Sequence, residues 1–274
     1  MTVVAEPTRR GTVVRTIRTR AAEWIPAIVV FCLAIVAWQL IIDVFHIQKF
    51  LLPKPLAIVK AFWNERGTLW SAGWLTLKEA LVGFGIGCGL AIASAVLLAR
   101  FRRVSGALMP VAIAANAIPI IAFSPIFDAW FDPLSIWPRA ATAAVLCFFP
   151  VFVNTLRGLT SVRPAQVELM RSYAAGEIDI FRRVRVPTAL PFVFAALKVA
   201  TVLAMIGAIV ADYFGTFGSL GIAIKNAVSL FDFETAWAAI LIASILGVAL
   251  YVAVSLAERI ALQWDPTRQE RGSA

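Results

Sequence analysis

Charge is scarce in this chain. Asp, Glu, Lys and Arg make up 15% of its 274 residues, against about 25% in ordinary globular domains. A soluble protein of this length needs a polar skin over its core, and so few charges cannot supply one. Histidine is almost missing: His46 is the sole one, which leaves histidine-based metal catalysis without a ligand set. The cysteines Cys32, Cys88 and Cys147 are odd in number, sit inside apolar runs and lack metal-like spacing. They read as small hydrophobes rather than as a disulfide framework. There is no G-x-S-x-G, no H-E-x-x-H and no P-loop. A hydrolytic enzyme is therefore poorly supported, and no Walker motif offers ATP a site on this chain.

What is present is apolar. The AVILMFWYC set accounts for 61% of residues, with 19 Phe and 9 Trp, and the mean hydropathy is +0.85. Disorder is excluded by these figures, and a polytopic all-α membrane protein is indicated. A span needs about 20 mostly apolar residues. Six runs qualify, roughly 24–45, 76–99, 106–127, 138–159, 192–213 and 236–259. The net charge of +9 is explained by topology, because the basic residues cluster at span ends and form no stripe interleaved with stacking aromatics. Nucleic acid is not an expected partner; the lipid bilayer is.

Six spans put both termini on one side, and Lys/Arg bias tells which. Arg9, Arg10, Arg15, Arg18 and Arg20 precede the first span, and Arg100, Arg102 and Arg103 follow the second. Arg157, Arg163, Arg171, Arg182, Arg183 and Arg185 lie between spans four and five, and Arg259, Arg268 and Arg271 near the end. The opposite side carries fewer. Both termini are thus expected in the cytoplasm of a cell whose plasma or inner membrane holds the chain. The charged start resembles a signal peptide, but the apolar run continues to Ile42 with no small-x-small site after it. The expected layout is a tail over 1–23, a membrane domain over 24–260 and a tail over 261–274.

On the outer side, Leu52-Pro53-Lys54-Pro55 marks a turn. Leu56 to Trp70 has the spacing of an interfacial amphipathic helix, with Trp63, Trp70 and Trp74 near the headgroups. The stretch from Phe214 to Thr235 contains Gly215, Gly218 and Gly221, which suits a segment dipping back toward the membrane. The string Gly83, Gly85, Gly87, Gly89 lies within an apolar run with no strand before it. It reads as close helix packing rather than as a dinucleotide fingerprint.

The inner loop from Arg163 to Pro191 is the longest cytoplasmic loop expected and the most charged part of the chain. Val167, Met170 and Ala174 recur at helical spacing, as do Ile178 and Phe181. Pro164 suits a helix start and Gly176 a helix end, while Pro187 and Pro191 set the start of the fifth span. Two short helices, each with one apolar edge, are expected to meet near Gly176. Such edges suit docking of a soluble partner better than a solvated loop.

This loop resembles the EAA loop of binding-protein-dependent ABC importer permeases. Glu168, Leu169, Met170, Arg171, Ser172, Tyr173 and Ala174 fall on the first part of the signature, and Val186 to Pro191 on its end. Leu169 and Met170 stand where two alanines are usual and Ala174 where glycine is, so Gly176 is expected to serve as the joint instead. Leu52-Pro53-x-Pro55, Asn116-Ala117-Ile118-Pro119 with Pro125, Trp130-Phe131, Phe148-Phe149-Pro150-x-x-x-Asn154 and Ala211-Asp212 with Leu220-Gly221 are similar to the nitrate/sulfonate/taurine-type subfamily. Its members more often carry Glu where Asp212 stands.

The resemblance implies a type I ABC importer permease fold of about six transmembrane helices. It also implies a second permease subunit, as a homodimer, a pair of ATPase subunits that carry ATP and Mg, and an extracytoplasmic substrate-binding protein. No cofactor is expected on this chain itself. Glu168 and Arg171 are expected to pair with each other or with the ATPase, and Tyr173 to fill a pocket in it. Polar groups within a bilayer are costly and face a cavity or a neighbour, which makes Asn116, Ser124, Asn154, Thr201 and Asp212 the pathway or gate candidates. Helix–helix hydrogen bonding is the alternative for the Asn and Asp positions, and bonding to their own helix is favoured for Ser124 and Thr201. Arg139 is expected as an interface anchor. The cargo is a sulfonate, taurine or nitrate-like anion, or a heterocycle such as a vitamin precursor or riboflavin. The competing class, an ion-coupled secondary transporter, needs intramembrane carboxylates and half-repeats, of which Asp212 alone is evident.

Overall fold

The computed structural model describes residues 9–115, 118–215 and 218–262, and every regular element among them is helical. The long helices are α1 (Arg9–Phe45), α3 (Arg66–Ala99), α6 (Trp137–Thr160), α9 (Val186–Asp212) and α11 (Phe233–Ala261). Between them lie α2 (Pro55–Asn64), α4 (Arg102–Ala115), α5 (Ser124–Trp130), α7 (Pro164–Ser172), α8 (Glu177–Ile180) and α10 (Leu220–Ser229). Five helical runs are long and apolar enough to cross a membrane. The expected span over 106–127 needs correction, because it is not one helix: α4 stops at Ala115, and a 3-10 turn over Ile120–Phe123 leads into α5. Proline explains the break. Pro119 supplies no N–H and pushes Ile118 before it out of the helical region, whereas Pro125 sits in the first turn of α5, where its missing N–H costs nothing. Asn116 lies outside the described residues.

The core is α6 sandwiched between α3 and α9, and its contacts are built from small residues. A Cβ at Gly83 or Gly87 would fall on α6 backbone at Ala140 or Ala144, whereas Gly85 and Gly89 face open space. Gly207 of α9 meets Ala143, and Gly158 of α6 meets Ala189. Ala91, Ala95, Ala143, Ala200, Ala204 and Ala208 are wholly buried. In lipid there is no hydrophobic drive between helices, so close backbone approach and dispersion hold them together. The glycine string therefore acts in packing, through two of its four members.

Helix α3 has 34 residues, about 51 Å at 1.5 Å per residue, so it overhangs a hydrocarbon core of about 30 Å. It begins ten residues before the expected position 76, and the amphipathic helix expected over 56–70 is split at Glu65 between α2 and α3. Trp63, Trp70 and Trp74 are all more than half exposed. Helix α1 starts at Arg9, inside the stretch expected as a tail, while residues 1–8 and 263–274 lie outside the described residues. It stands apart from the bundle, with 6% of Ile28–Phe45 buried. Trp38, whose ring centre is 5.4 Å from that of Trp237, joins it to α11. The segment after α9 does fold back: α10 rests on α3, α9 and α11.

Candidate functional site

The loop between α6 and α9 lies at one end of the bundle. Helix α7 starts with Pro164 in its first turn, after an extended Arg163, and none of its residues is buried. Val167 and Met170 are half-buried, while Glu168, Arg171 and Ser172 are exposed and Leu169, Tyr173 and Ile178 are 58%, 77% and 74% exposed. Three large apolar side chains on and just after this short helix are thus uncovered by the rest of the chain. Beside it lies a cavity of about 300 Å³ lined by Arg100, Thr160, Val167, Glu168, Arg171 and Arg185.

The joint differs from expectation. Ala174 takes the left-handed conformation at φ 55°, with its N–H on the Arg171 carbonyl (2.9 Å) and the Ala175 N–H on that of Met170 (3.1 Å). These two bonds are a Schellman cap, which glycine favours for lack of a Cβ. Ala174 therefore keeps the backbone of the motif glycine without its ease. Gly176, at φ −72°, is the N-cap of α8 and needs no special freedom. The Glu168–Arg171 pair is also corrected: Arg171 reaches across the joint to Glu177 at 2.9 Å, both exposed, and Ser172 bonds Leu169 O.

Beyond the joint, α8, a π-helical turn over Phe181–Arg185 and α9 form one run, Glu177–Asp212. The second half of the loop is thus the start of the fifth span, not a separate helix. Pro187 sits in the first turn of α9 and Pro191 inside it. A widened π turn lies just before them, and the Thr188 hydroxyl donates to Val184 O at 2.7 Å.

The polar residues in the spans do not form one set. Thr201 is wholly buried and donates to the Lys198 carbonyl at 2.7 Å. Asn154, half-buried, donates to Pro150 O at 2.8 Å. Ser124 is buried at the start of α5. Lys198 of α9 pairs with Glu258 of α11 at 3.0 Å.

Asp212 stands elsewhere, at the end of the bundle opposite the loop. It is 1% exposed. Its Oδ2 accepts from Thr76 Oγ1 of α3 (2.8 Å) and from the Gly221 N–H of α10 (3.5 Å), and its Oδ1 lies 4.0 Å from Arg139 Nε. Arg139 is no interface anchor: at 2% exposed it is buried, 3.8 Å from Asp128, and donates to Pro133 O (2.7 Å) and Ser135 O (2.9 Å). A Cβ at Gly215 would overlap the guanidinium, so a larger residue there would force Arg139 to shift. Glu79 of α3, 3% exposed, lies against Asp212, and its Oε2 finds no hydrogen-bond partner among the described residues. Sequence reasoning missed Thr76, Glu79 and the burial of Arg139. One signal was available: Gly73, Thr76, Ala80, Gly83 and Gly87 follow helical spacing, so Thr76 lies on the buried stripe.

Membrane-length helices packed through small residues define a multi-pass membrane protein. The family described as the binding-protein-dependent transport system inner membrane component matches residues 85–261, and the chain belongs to it. It is similar to the formylaminopyrimidine transport permease protein ThiX of Halalkalibacterium halodurans, at 34% identity covering 85% of this chain and 93% of that one. The riboflavin transport system permease protein RibX of Chloroflexus aurantiacus is 31% identical over 89% and 92%. The putative aliphatic sulfonates transport permease protein SsuC of Escherichia coli is 28% identical over 85% and 89%. The protein is an ABC transporter permease, and the secondary-transporter alternative falls away.

Proposed function

We propose that this permease carries a small planar heterocycle into the cell, delivered by an extracytoplasmic binding protein and driven by a separate ATPase pair that docks on α7 and the start of the 177–212 run. The observation that carries the coupling is the outward exposure of Leu169, Tyr173 and Ile178 on a capped, ordered loop. Buried aromatics anchor interfaces, and Tyr173 is suited to that role. ATP and Mg belong to the partner, because no P-loop occurs in this sequence. A run of 36 residues gives the ATPase a lever from the loop to Asp212. The Lys/Arg bias supports an orientation with loop and termini in the cytoplasm. A pair of these chains encloses the pathway.

The cargo class follows from two considerations. The relatives at 34% and 31% identity are named for a pyrimidine and for riboflavin, above the sulfonate permease at 28%. Lys198, well inside α9, is neutralised by Glu258, so it offers an anion no free charge. The test is uptake into proteoliposomes holding permease, ATPase and binding protein, offered a pyrimidine, riboflavin, an aliphatic sulfonate and nitrate. Uptake of a heterocycle that needs ATP and all three proteins, and is lost with Tyr173→Ala, supports the reading. Preferential uptake of the sulfonate or nitrate overturns the cargo class, and uptake without ATP overturns the coupling.

A further inference from the structure

Helix α10 is capped by other helices rather than by its own sequence. Ser219 occupies its N-cap position but makes no side-chain cap bond, and its Oγ is buried without a hydrogen-bond partner among the described residues. The first donors of α10 are met from outside. The Leu220 N–H reaches Thr76 Oγ1 of α3 at 3.0 Å, and the Gly221 N–H reaches Asp212 Oδ2 of α9 at 3.5 Å. Thr76 in turn donates to the same carboxylate oxygen. An anion at a helix N-terminus is favoured by the orphan donors and the macrodipole, more so where water is excluded. Arg139 balances the charge and ties the α5–α6 turn to the same point. A cation site is not the explanation, since Arg139 stands among the carboxylates and no metal-binding group of His, Cys, Asp or Glu occurs among the described residues.

This cap is a joint between moving parts. Asp212 is the last residue of the run that begins in the docking loop, whereas Thr76 belongs to α3. Any slide of α9 along α3 separates the two halves of the cap. Helix α10 is flanked by residues in left-handed backbone, Gly218 at φ 96° and Phe231 at φ 57°, so short turns rather than continuous helix join it to its neighbours. A Cβ at Gly221 would overlap Asp212 and the Ile209 carbonyl, so the cap holds only when α10 sits close.

We propose that Thr76 and Asp212 are positioning residues that hold α10 in its resting place against α3 and α9, and that movement of α9 during the ATPase cycle releases it. The inference rests on the importer reading for the cycle, but the cap itself is tested without partners. Ala227 is buried on α10, so Ala227→Cys with Cys32→Ser, in the full chain in liposomes, reports release of α10 through its rate of labelling by a water-soluble maleimide. Thr76→Val removes the hydroxyl at constant shape, and Thr76→Ser restores it. Labelling is expected to quicken about ten-fold in Thr76→Val, the worth of one buried hydrogen bond, and to stay at the parent rate in Thr76→Ser. Equal rates in Val and Ser overturn the cap.

With ATPase and binding protein added, the parent is expected to label faster when trapped with vanadate than without nucleotide. In Thr76→Val and Asp212→Asn, ATP hydrolysis without delivered cargo is expected to rise toward the stimulated rate. A vanadate-trapped parent that labels at the resting rate overturns release during the cycle, even if a variant fails to fold. Failure of the three proteins to assemble overturns the importer reading instead, and leaves the labelling result on the cap standing.

Discussion

The two ends of this molecule treat polar and apolar groups in opposite ways. At the loop end, charged groups lie in the open and large apolar side chains point outward: Tyr173 is 77% exposed and the Arg171–Glu177 pair is solvated on both sides. At the far end the charges are hidden. Arg139 and Asp212 are 2% and 1% exposed, the Thr76 hydroxyl and the Gly221 N–H of α10 converge on one carboxylate oxygen, and the Leu220 N–H bonds Thr76 Oγ1. The far end ties five elements to one another through buried polar contacts. The loop end leaves its large apolar groups uncovered within the chain.

The sharpest way to break this comparison is to remove one charge from the far end. Arg139→Ala should cost about 3–5 kcal/mol, because a buried carboxylate is left without its counter-charge. Denaturant unfolding of the purified permease measures it, and a loss under 1 kcal/mol on the order of a surface pair would mean that the cluster is wetter than its burial indicates. Between the ends, Gly87→Leu should destabilise by about 1–3 kcal/mol through overpacking against Ala144, while Gly85→Leu should be near neutral. Equal effects of the two would remove the close α3–α6 approach from the account.

At the loop end the effects move from folding to binding. Tyr173→Ala should leave unfolding unchanged yet weaken ATPase association by about 30-fold, the scale of a 2 kcal/mol anchor. A pull-down titration decides, and unaltered affinity would take Tyr173 out of the interface. Ala174→Gly should stabilise by about 0.5–1 kcal/mol, since the left-handed position no longer carries a Cβ. If unfolding instead shows destabilisation, the Schellman cap is not what ends α7. Smallest of all, Glu177→Gln should change stability by less than about 0.5 kcal/mol, in contrast with any change at Asp212.

Much of the fold was legible because a bilayer demands long apolar helices. Spans one, two, four, five and six were legible by hydropathy alone. The third was not, because α4, the 3-10 turn and α5 together have the composition of a continuous span while Pro119 interrupts it. The apolar edge of the α6–α9 loop was legible through the spacing of Val167 and Met170. Its joint was not: residue identity favours Gly176, whereas the cap geometry selected Ala174.

Composition and periodicity by themselves determined that the chain is helical and membrane-spanning, with a charged loop carrying one helical apolar edge, because those properties depend on local runs of residues. That Thr76, Asp212 and the start of α10 share one oxygen was decided only in the tertiary structure. These residues are 136 and 144 positions apart where they touch. A lone polar side chain at a span end has the same sequence signature whether it meets water or a buried partner.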